Sequence, residues 1–369
     1  MEEEKREIME ESKKEIVEEE KREVKEVQIK LIENKKEPKK EEINDVLKII
    51  SPGTSLRTAI EGVQKAKTGG LIVAYNDFVQ NLFEGGFKIN ARFTPQRIIE
   101  LGKMDGAIIL SNDLKKILCA NVLLTPDHSI PSNETGTRHK AAERIARQAG
   151  TVVIAISQRR DEISLFYKNF KYVIRDTNDI IRRATGILQI IEKHKDIFDK
   201  NKIELDAEEL KKKPALVKAL LLIQRGMIIL NTSRTLKEYL IELGVEGAIV
   251  KSRLKELLHK VEKEVEEVIQ DYSRFGLAKS KEILSVLSYE ELLEIDNIMQ
   301  CLGVSESSIL SKGHRRLERE GLSEEIIGLL IKNFKNLHGI LEAKKEDLIP
   351  LFGEEPSEEV LDILSHIRE

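Results

Sequence analysis

Near Asp176 the spacing of apolar residues changes period, and that change splits the chain into two kinds of fold. Ahead of it, apolar residues come in short blocks: Leu71-Ile72-Val73-Ala74-Tyr75, Ala107–Leu110, about Ile117–Leu124, Thr151–Ile156, Ile163–Tyr167 and Tyr172-Val173-Ile174. Blocks of this length, bounded by Gly, Asp or Pro, predict buried strands. Between them, Pro52-Gly53-Thr54 opens a helix through Lys67 that Gly69-Gly70 ends, and Pro95 to Leu101 reads as a helix with Pro in its first turn. Beyond Asp176, Ile180, Ile181, Ala184, Ile187, Leu188 and Ile191 recur at helical spacing, and helical stretches continue through about Tyr272. Leu254, Leu257, Leu258, Val261, Val265 and Ile269 form one stripe there. The pattern predicts a mixed central sheet covered by helices, then an all-α segment.

A chain of 369 residues exceeds the usual size of a single core, so two or three domains are expected. Two thirds of residues 1–42 are Glu, Lys or Arg, which reads as a charged helical or disordered extension; Val17, Val24 and Leu31 give it only a thin heptad seam. Residues 43–175 form the sheet domain, 176–305 the helical segment and 306–369 a further small module. No apolar run approaches the roughly 20 residues that span a bilayer, and the N-terminus lacks a basic-then-apolar pattern, so a cytoplasmic protein is expected. Cys119 and Cys301 have no metal-like neighbours and read as reduced thiols. A net charge of -4 supplies no global attraction to nucleic acid.

Chemistry concentrates at three element ends. In Asn133–Arg144 a small polar loop with Gly136 runs into a helix whose first turn carries Thr137, Arg138 and His139. Free N–H groups, a positive dipole end and a planar cationic fork there suit phosphate. Asp105-Gly106 sits just ahead of the Ala107 strand, and the Thr151–Ile156 strand delivers Ser157 and Arg160 at its end. Three polar clusters at strand and helix ends are what a nucleotide site on a sheet rim needs. Neither a P-loop nor a Gly-x-Gly-x-x-Gly fingerprint is present.

Five motifs stand in one order: Gly86-Phe87-Lys88-Ile89-Asn90, Phe93-Thr94-Pro95-Gln96-Arg97, Lys103-Met104-Asp105-Gly106-Ala107, Gly136-Thr137-Arg138-His139 and Ile156-Ser157-Gln158-Arg159-Arg160. Together they closely resemble the diadenylate cyclase domain of the DNA integrity scanning protein family. The resemblance implies an α/β diadenylate cyclase domain, an all-α linker that joins subunits along a spine, and a C-terminal module like a helix-hairpin-helix. It implies condensation of two ATP into cyclic di-AMP with release of two pyrophosphates, by two domains facing each other within an octamer. Catalytic roles would then fall to Asp105, Arg138 and His139, with Asp105 binding Mg²⁺ or Mn²⁺ and helping to activate the attacking 3′-hydroxyl. Gly106 and Ala107 would leave room for the nucleotide, and Leu124 would pack on adenine. Thr137, Arg138 and His139 would hold the triphosphate, Ser157 would touch phosphate, and Arg160 would support it. Lys140 and Ala141 stand where the family usually has Arg and Thr, a loss of one fork and one hydroxyl that should slow turnover.

The C-terminal module departs further from the family. Its second hairpin reads Leu351-Phe352-Gly353-Glu354-Glu355-Pro356, and residues 301–369 hold nine Lys plus Arg against fourteen Asp plus Glu. Because DNA affinity rests on phosphate neutralisation, contact with branched DNA should be weakened. His314-Arg315-Arg316 and Arg319 make a local basic strip, which reads as a solvated helix face. Two other readings stay open: a DNA-structure-binding protein whose nucleotide domain is only a sensor, and a catalytically silent helical scaffold.

Overall fold

The computed structural model describes residues 37–211, 214–304 and 310–368. Most of the charged extension, with its heptad seam, lies outside the described residues. The contacts divide the chain into two compact units, one ending at Ile180 and including Ile241–Glu246, the other holding the rest.

The first unit runs α1 (Lys40–Ile49), α2 (Ser55–Lys65), β1 (Gly70–Ala74), β2 (Phe83–Glu84), β3 (Phe87–Arg92), α3 (Pro95–Leu101), β4 (Ala107–Leu110), β5 (Lys116–Leu124), α4 (Thr137–Ala149), β6 (Val152–Ile156), β7 (Ile163–Tyr167) and β8 (Phe170–Val173). Local chemistry fixes the helix starts: the Thr54 and Thr94 hydroxyls accept from the N–H of Arg57 (3.2 Å) and Arg97 (3.3 Å). The strands join one mixed sheet in the order β2-β5-β4-β1-β6-β7-β8, with β3 also on β5. Only β1 and β4 run parallel among the pairings in this sheet. Alternate side chains serve opposite faces. Ile72, Ile108, Ile154 and Leu165 pack on one side with Val46, Leu56 and Ile60 of α1 and α2. Leu71, Val73, Ile109, Val153 and Phe166 pack on the other with Ala142, Ile145 and Ala146 of α4. A sheet covered on both faces has no polar side, which is why its central strands read as unbroken apolar blocks.

β2 and β3 have no such block and were not foreseen. They lie at the sheet margin, Phe87 and Lys88 are exposed, and a register shift between Lys88 and Ala91 accompanies Asn90 at φ +45°. Helix α1 also begins at Lys40, ahead of the expected domain start at residue 43.

The second unit continues through α5 (Thr177–Leu210), α6 (Leu216–Leu243), α7 (Ala248–Leu257), α8 (Val261–Tyr272), α9 (Leu277–Val286), α10 (Tyr289–Leu293), α11 (Ile295–Leu302), α12 (His314–Arg319), α13 (Glu324–Phe334), α14 (Leu337–Glu342), α15 (Lys345–Phe352) and α16 (Glu354–Arg368). Two expectations are corrected here. The stripe from Leu254 to Ile269 is divided between α7 and α8, because Lys260 adopts φ +60° and breaks the helix. An 18-residue window within Leu216–Tyr272 reaches mean hydropathy 1.3, although no run of membrane-spanning length was expected; 61% of it is buried inside the fold. A helix apolar all round is what the centre of a helical domain requires.

The basic strip is not a solvated face either. Arg315 is 0% exposed and His314 8%. Arg315 Nη1 lies 2.5 Å from Asp206, its Nη2 donates to Glu209 at 2.6 Å, and Arg319 pairs with Asp206 and Glu264. The acids come from α5 and α8, far upstream, so α12 is seated on a buried ionic network. Tyr272 Oη donates to Glu209 (2.8 Å), and the Asp271 carboxylate accepts the N–H of His314 (2.6 Å) and Arg315 (3.3 Å) at the α12 start.

Burial, aided by the Glu209 charge, pushes the Asp271 carboxyl up from 3.8 to about 7 despite Arg315 and the two N–H donors. In the folded chain this carboxyl therefore holds a proton that the unfolded chain has lost at the same pH. Its contribution to stability is full below about pH 4 and is lost as pH rises toward 7, by up to about 1.4 kcal/mol per unit. Denaturant titrations between pH 4.5 and 8.5 should show this slope in the parent and its loss in Asp271→Asn, whose amide stands in for the neutral acid. Equal slopes would refute the assignment.

Candidate nucleotide site

Strand register builds the rim. Ile72 pairs with Ile108 in parallel and Gly70 with Ile156 in antiparallel fashion. The starts of β1 and β4 and the end of β6 therefore share one edge of the sheet. Asp105-Gly106, Gly69 and Ser157 follow one another along it.

Against this edge lies a cavity of about 540 Å³, lined by residues 134–139 and 156–160. It gathers Thr137, Arg138, His139, Ser157 and Arg160. Gly136 is the N-cap of α4, no side chain caps the helix, and its first turn has no acid. The first intrahelical bond is from Lys140 N–H to Gly136 O (2.9 Å), which leaves the N–H groups of Thr137, Arg138 and His139 ahead of the ladder. His139 is half-buried and meets Phe166 edge-on, ring centroids 6.5 Å apart. Burial holds its imidazole below the usual range, against the opposing pull of Glu134 and Glu162. The ring is thus a neutral donor or acceptor at pH 7.

The opposite wall is a braced turn. Ser157 N–H donates to Glu162 O (2.8 Å), Ser157 Oγ accepts from Arg160 N–H (3.1 Å), and Gln64 on α2 donates to Asp161 O (2.7 Å). Arg160 Nη2 reaches across to Thr135 Oγ1 (2.8 Å), tying the two walls together. Glu134, the one acid in the lining, pairs with Lys171 (2.6 Å), so its charge opposes an anion less.

Asp105, Gly106, Ala107, Leu124, Lys140 and Ala141 do not line this cavity. Asp105 is exposed farther along the rim. Gly106, at φ +85°, is required by the fold itself, because a Cβ would stand 2.9 Å from Asn121 backbone and from Val122 O. Ala107 turns its methyl into the core at 1% exposure, and Leu124 is half-buried beside Phe83 at the end of β5. Lys140 and Ala141 sit half-buried in the first turn of α4. Beside Asp105 in sequence, Met104 is 41% exposed and Lys103 is exposed too, while Gly106 packs against the backbone of the exposed Asn121. Glu134, Thr135, Gln158 and Arg159 line the cavity without having been singled out as contacts; their signal was membership of the same two polar segments. Among the described residues no group of three or more His, Cys, Asp or Glu could hold a metal. A lone exposed carboxylate still fits a hard divalent ion that takes its other ligands from phosphates and water.

Residues 57–170 match the family model described as DisA bacterial checkpoint controller nucleotide-binding, and residues 174–310 match the DisA bacterial checkpoint controller linker region. The chain is 39% identical over 343 residues to the DNA integrity scanning protein DisA of Clostridium botulinum (strain 657 / Type Ba4), covering 90% of this chain and 97% of that one. It is 42% identical over 326 residues to the protein of the same name from Acetivibrio thermocellus, covering 85% and 91%. Among solved structures, DacA from Staphylococcus aureus matches 35% of this chain and 90% of its own at 22% identity, with a TM-score of 0.28.

Proposed function

Because this chain belongs to the DisA family of DNA integrity scanning proteins, with that family's nucleotide-binding domain and helical linker, we propose that it is a diadenylate cyclase making cyclic di-AMP from two ATP. The observation that carries the reading is the division of the site. A cationic cavity fit for one triphosphate lies on the rim, while the exposed carboxylate of Asp105 stands on the same rim outside that cavity. One copy holds one ATP, so closing the dinucleotide ring takes two copies face to face.

In each half-reaction the 3′-oxygen of one nucleotide forms a bond to the α-phosphorus of the other. The bond from that phosphorus to pyrophosphate breaks, and the 3′-hydroxyl proton passes to Asp105. Arg138 and the α4 N–H groups neutralise the triphosphate and His139 helps align it as a neutral hydrogen-bonding ring, the main task in phosphoryl-type transfer. Arg138, His139 and Asp105 are the catalytic residues. Ser157 and Thr137 add hydroxyls, Arg160 braces the cavity, and Leu124 contributes apolar surface for adenine. Asp105 is the residue that would hold a Mg²⁺ or Mn²⁺ ion, which would supply charge neutralisation there. Lys140 and Ala141, at the base of α4, slow the reaction relative to an Arg-Thr pair. The four sequence segments bounded at residues 42, 175 and 305 serve as extension, cyclase, spine and C-terminal module, in an octamer. With His314 and Arg315 buried and Arg316 and Arg319 bound to Asp206, DNA contact through that strip is weak.

Purified protein incubated with ATP and either metal should yield cyclic di-AMP, and specific activity should fall on dilution below the dimer dissociation constant. A fully active monomer at nanomolar concentration would contradict the two-copy mechanism, and absence of product across metals and concentrations would contradict the activity.

A further inference from the structure

Gly69 lies at the centre of the rim, between Asp105 and Ser157, and helix termination does not account for its geometry. Its φ of +71° alone would admit Asn or Asp as well as Gly. The space around it admits a side chain only if the Arg138 tip moves. A Cβ there would stand 2.4 Å from Arg138 Nη1, 3.2 Å from Ile156 O and 3.3 Å from Gln158 Cβ. The Arg138 guanidinium therefore occupies the volume that a side chain at this position would fill. Among the described residues no hydrogen bond or ion pair holds Arg138. What lies against its Nη1 is the bare face of Gly69.

We propose that Gly69 is a positioning residue for the reaction: by lacking a side chain it seats the Arg138 guanidinium against the start of β1, at the edge of the cavity. The assignment rests on the reading of that cavity as a triphosphate site. A planar fork bonds phosphate oxygens only in register, and a displacement of about 1 Å at a reacting centre costs on the order of a hundredfold in rate. A methyl at residue 69 moves an arginine tip, which is a flexible group, so the domain keeps its fold while the fork leaves its place.

The full chain is tested as Gly69→Ala, as Gly85→Ala and as Gly69→Ala combined with Arg138→Ala. Gly85 has φ +68° with nothing within 4 Å of its Cβ position, so it reports backbone strain alone. Cyclic di-AMP kinetics and the affinity for inorganic triphosphate are measured for each. Gly69→Ala should lose about tenfold to a hundredfold, mainly in kcat, and weaken triphosphate binding. Gly85→Ala should match the parent, and in the Arg138→Ala background Gly69→Ala should change triphosphate affinity by less than about twofold. Equal losses with and without Arg138, or Gly69→Ala behaving like Gly85→Ala, would overturn the proposal. Should Gly69→Ala fail to fold, removal of the clashing tip in the double variant must restore folding, and failure to do so also overturns it. If the parent makes no cyclic dinucleotide but Gly69→Ala still weakens triphosphate binding only when Arg138 is present, the seat stands and the cyclase reading falls.

Discussion

Asp105→Asn is expected to lower cyclic di-AMP formation by about 10²- to 10⁴-fold, the range for loss of a proton acceptor in the transition state. The amide keeps the shape of the carboxylate but neither takes the 3′-hydroxyl proton nor presents an anion to a divalent ion. Asp105 is exposed, no partner holds it among the described residues, and neighbouring Gly106 fixes the turn by its own backbone. Stability should therefore stay within about 0.5 kcal/mol of the parent, as for surface substitutions generally. Binding of a single ATP should also persist, because the cavity lining does not include Asp105. Product quantified by chromatography beside a thermal melt decides the matter. Activity within tenfold of the parent would remove Asp105 from the mechanism, and a collapsed melt would make it a structural residue instead.

How far the sequence could be read depended on whether the deciding contact was local. β4 and β7 appear with the bounds expected from their apolar blocks, since strands covered on both faces have no polar side to interrupt the run. β2 and β3 escaped notice because an edge strand exposing Phe87 and Lys88, with Asn90 in a left-handed conformation, has neither a block nor a clean alternation. The polar approach to α4 was legible for the same reason as β4: cap, dipole and cation lie within a few residues. Gly69 was not, because what demands a glycine there is a guanidinium sixty-nine positions later. The basic strip was misread for a similar cause, its acids being supplied by Asp206, Glu209 and Glu264 on other helices. Long-range closure also affects where the cyclase unit can be cut. Tyr172 donates to Glu242, and Ile241–Glu246 belongs to the same compact unit, so truncation after Asp176 removes a partner that Tyr172 and Arg175 use.

The second large effect belongs to Arg315, whose replacement by Ala should destabilise the second unit by about 3–5 kcal/mol. Its side chain is fully buried, and burial notwithstanding, the charges of Glu209, Asp206 and Asp271 hold the guanidinium in its ionised form. Removing it does not merely delete two ion pairs. Asp206 is 23% exposed and can turn to water, but Glu209, at 1%, loses its counter-charge in a dry interior, and Asp271 loses the neighbouring charge that opposes its protonation. The α12 start that Asp271 caps then loses its anchor, so amide exchange in α12 to α16 should rise before the rest of that unit unfolds. If charge burial is the cause, removing both partners must cost less than removing one. Arg315→Met combined with Glu209→Gln, in which the amide oxygen still accepts from Tyr272, should recover at least half of the loss. A double variant less stable than Arg315→Ala would mean that packing, not the stranded carboxylate, sets the penalty. A single-variant loss below about 1 kcal/mol would mean that the network is dispensable.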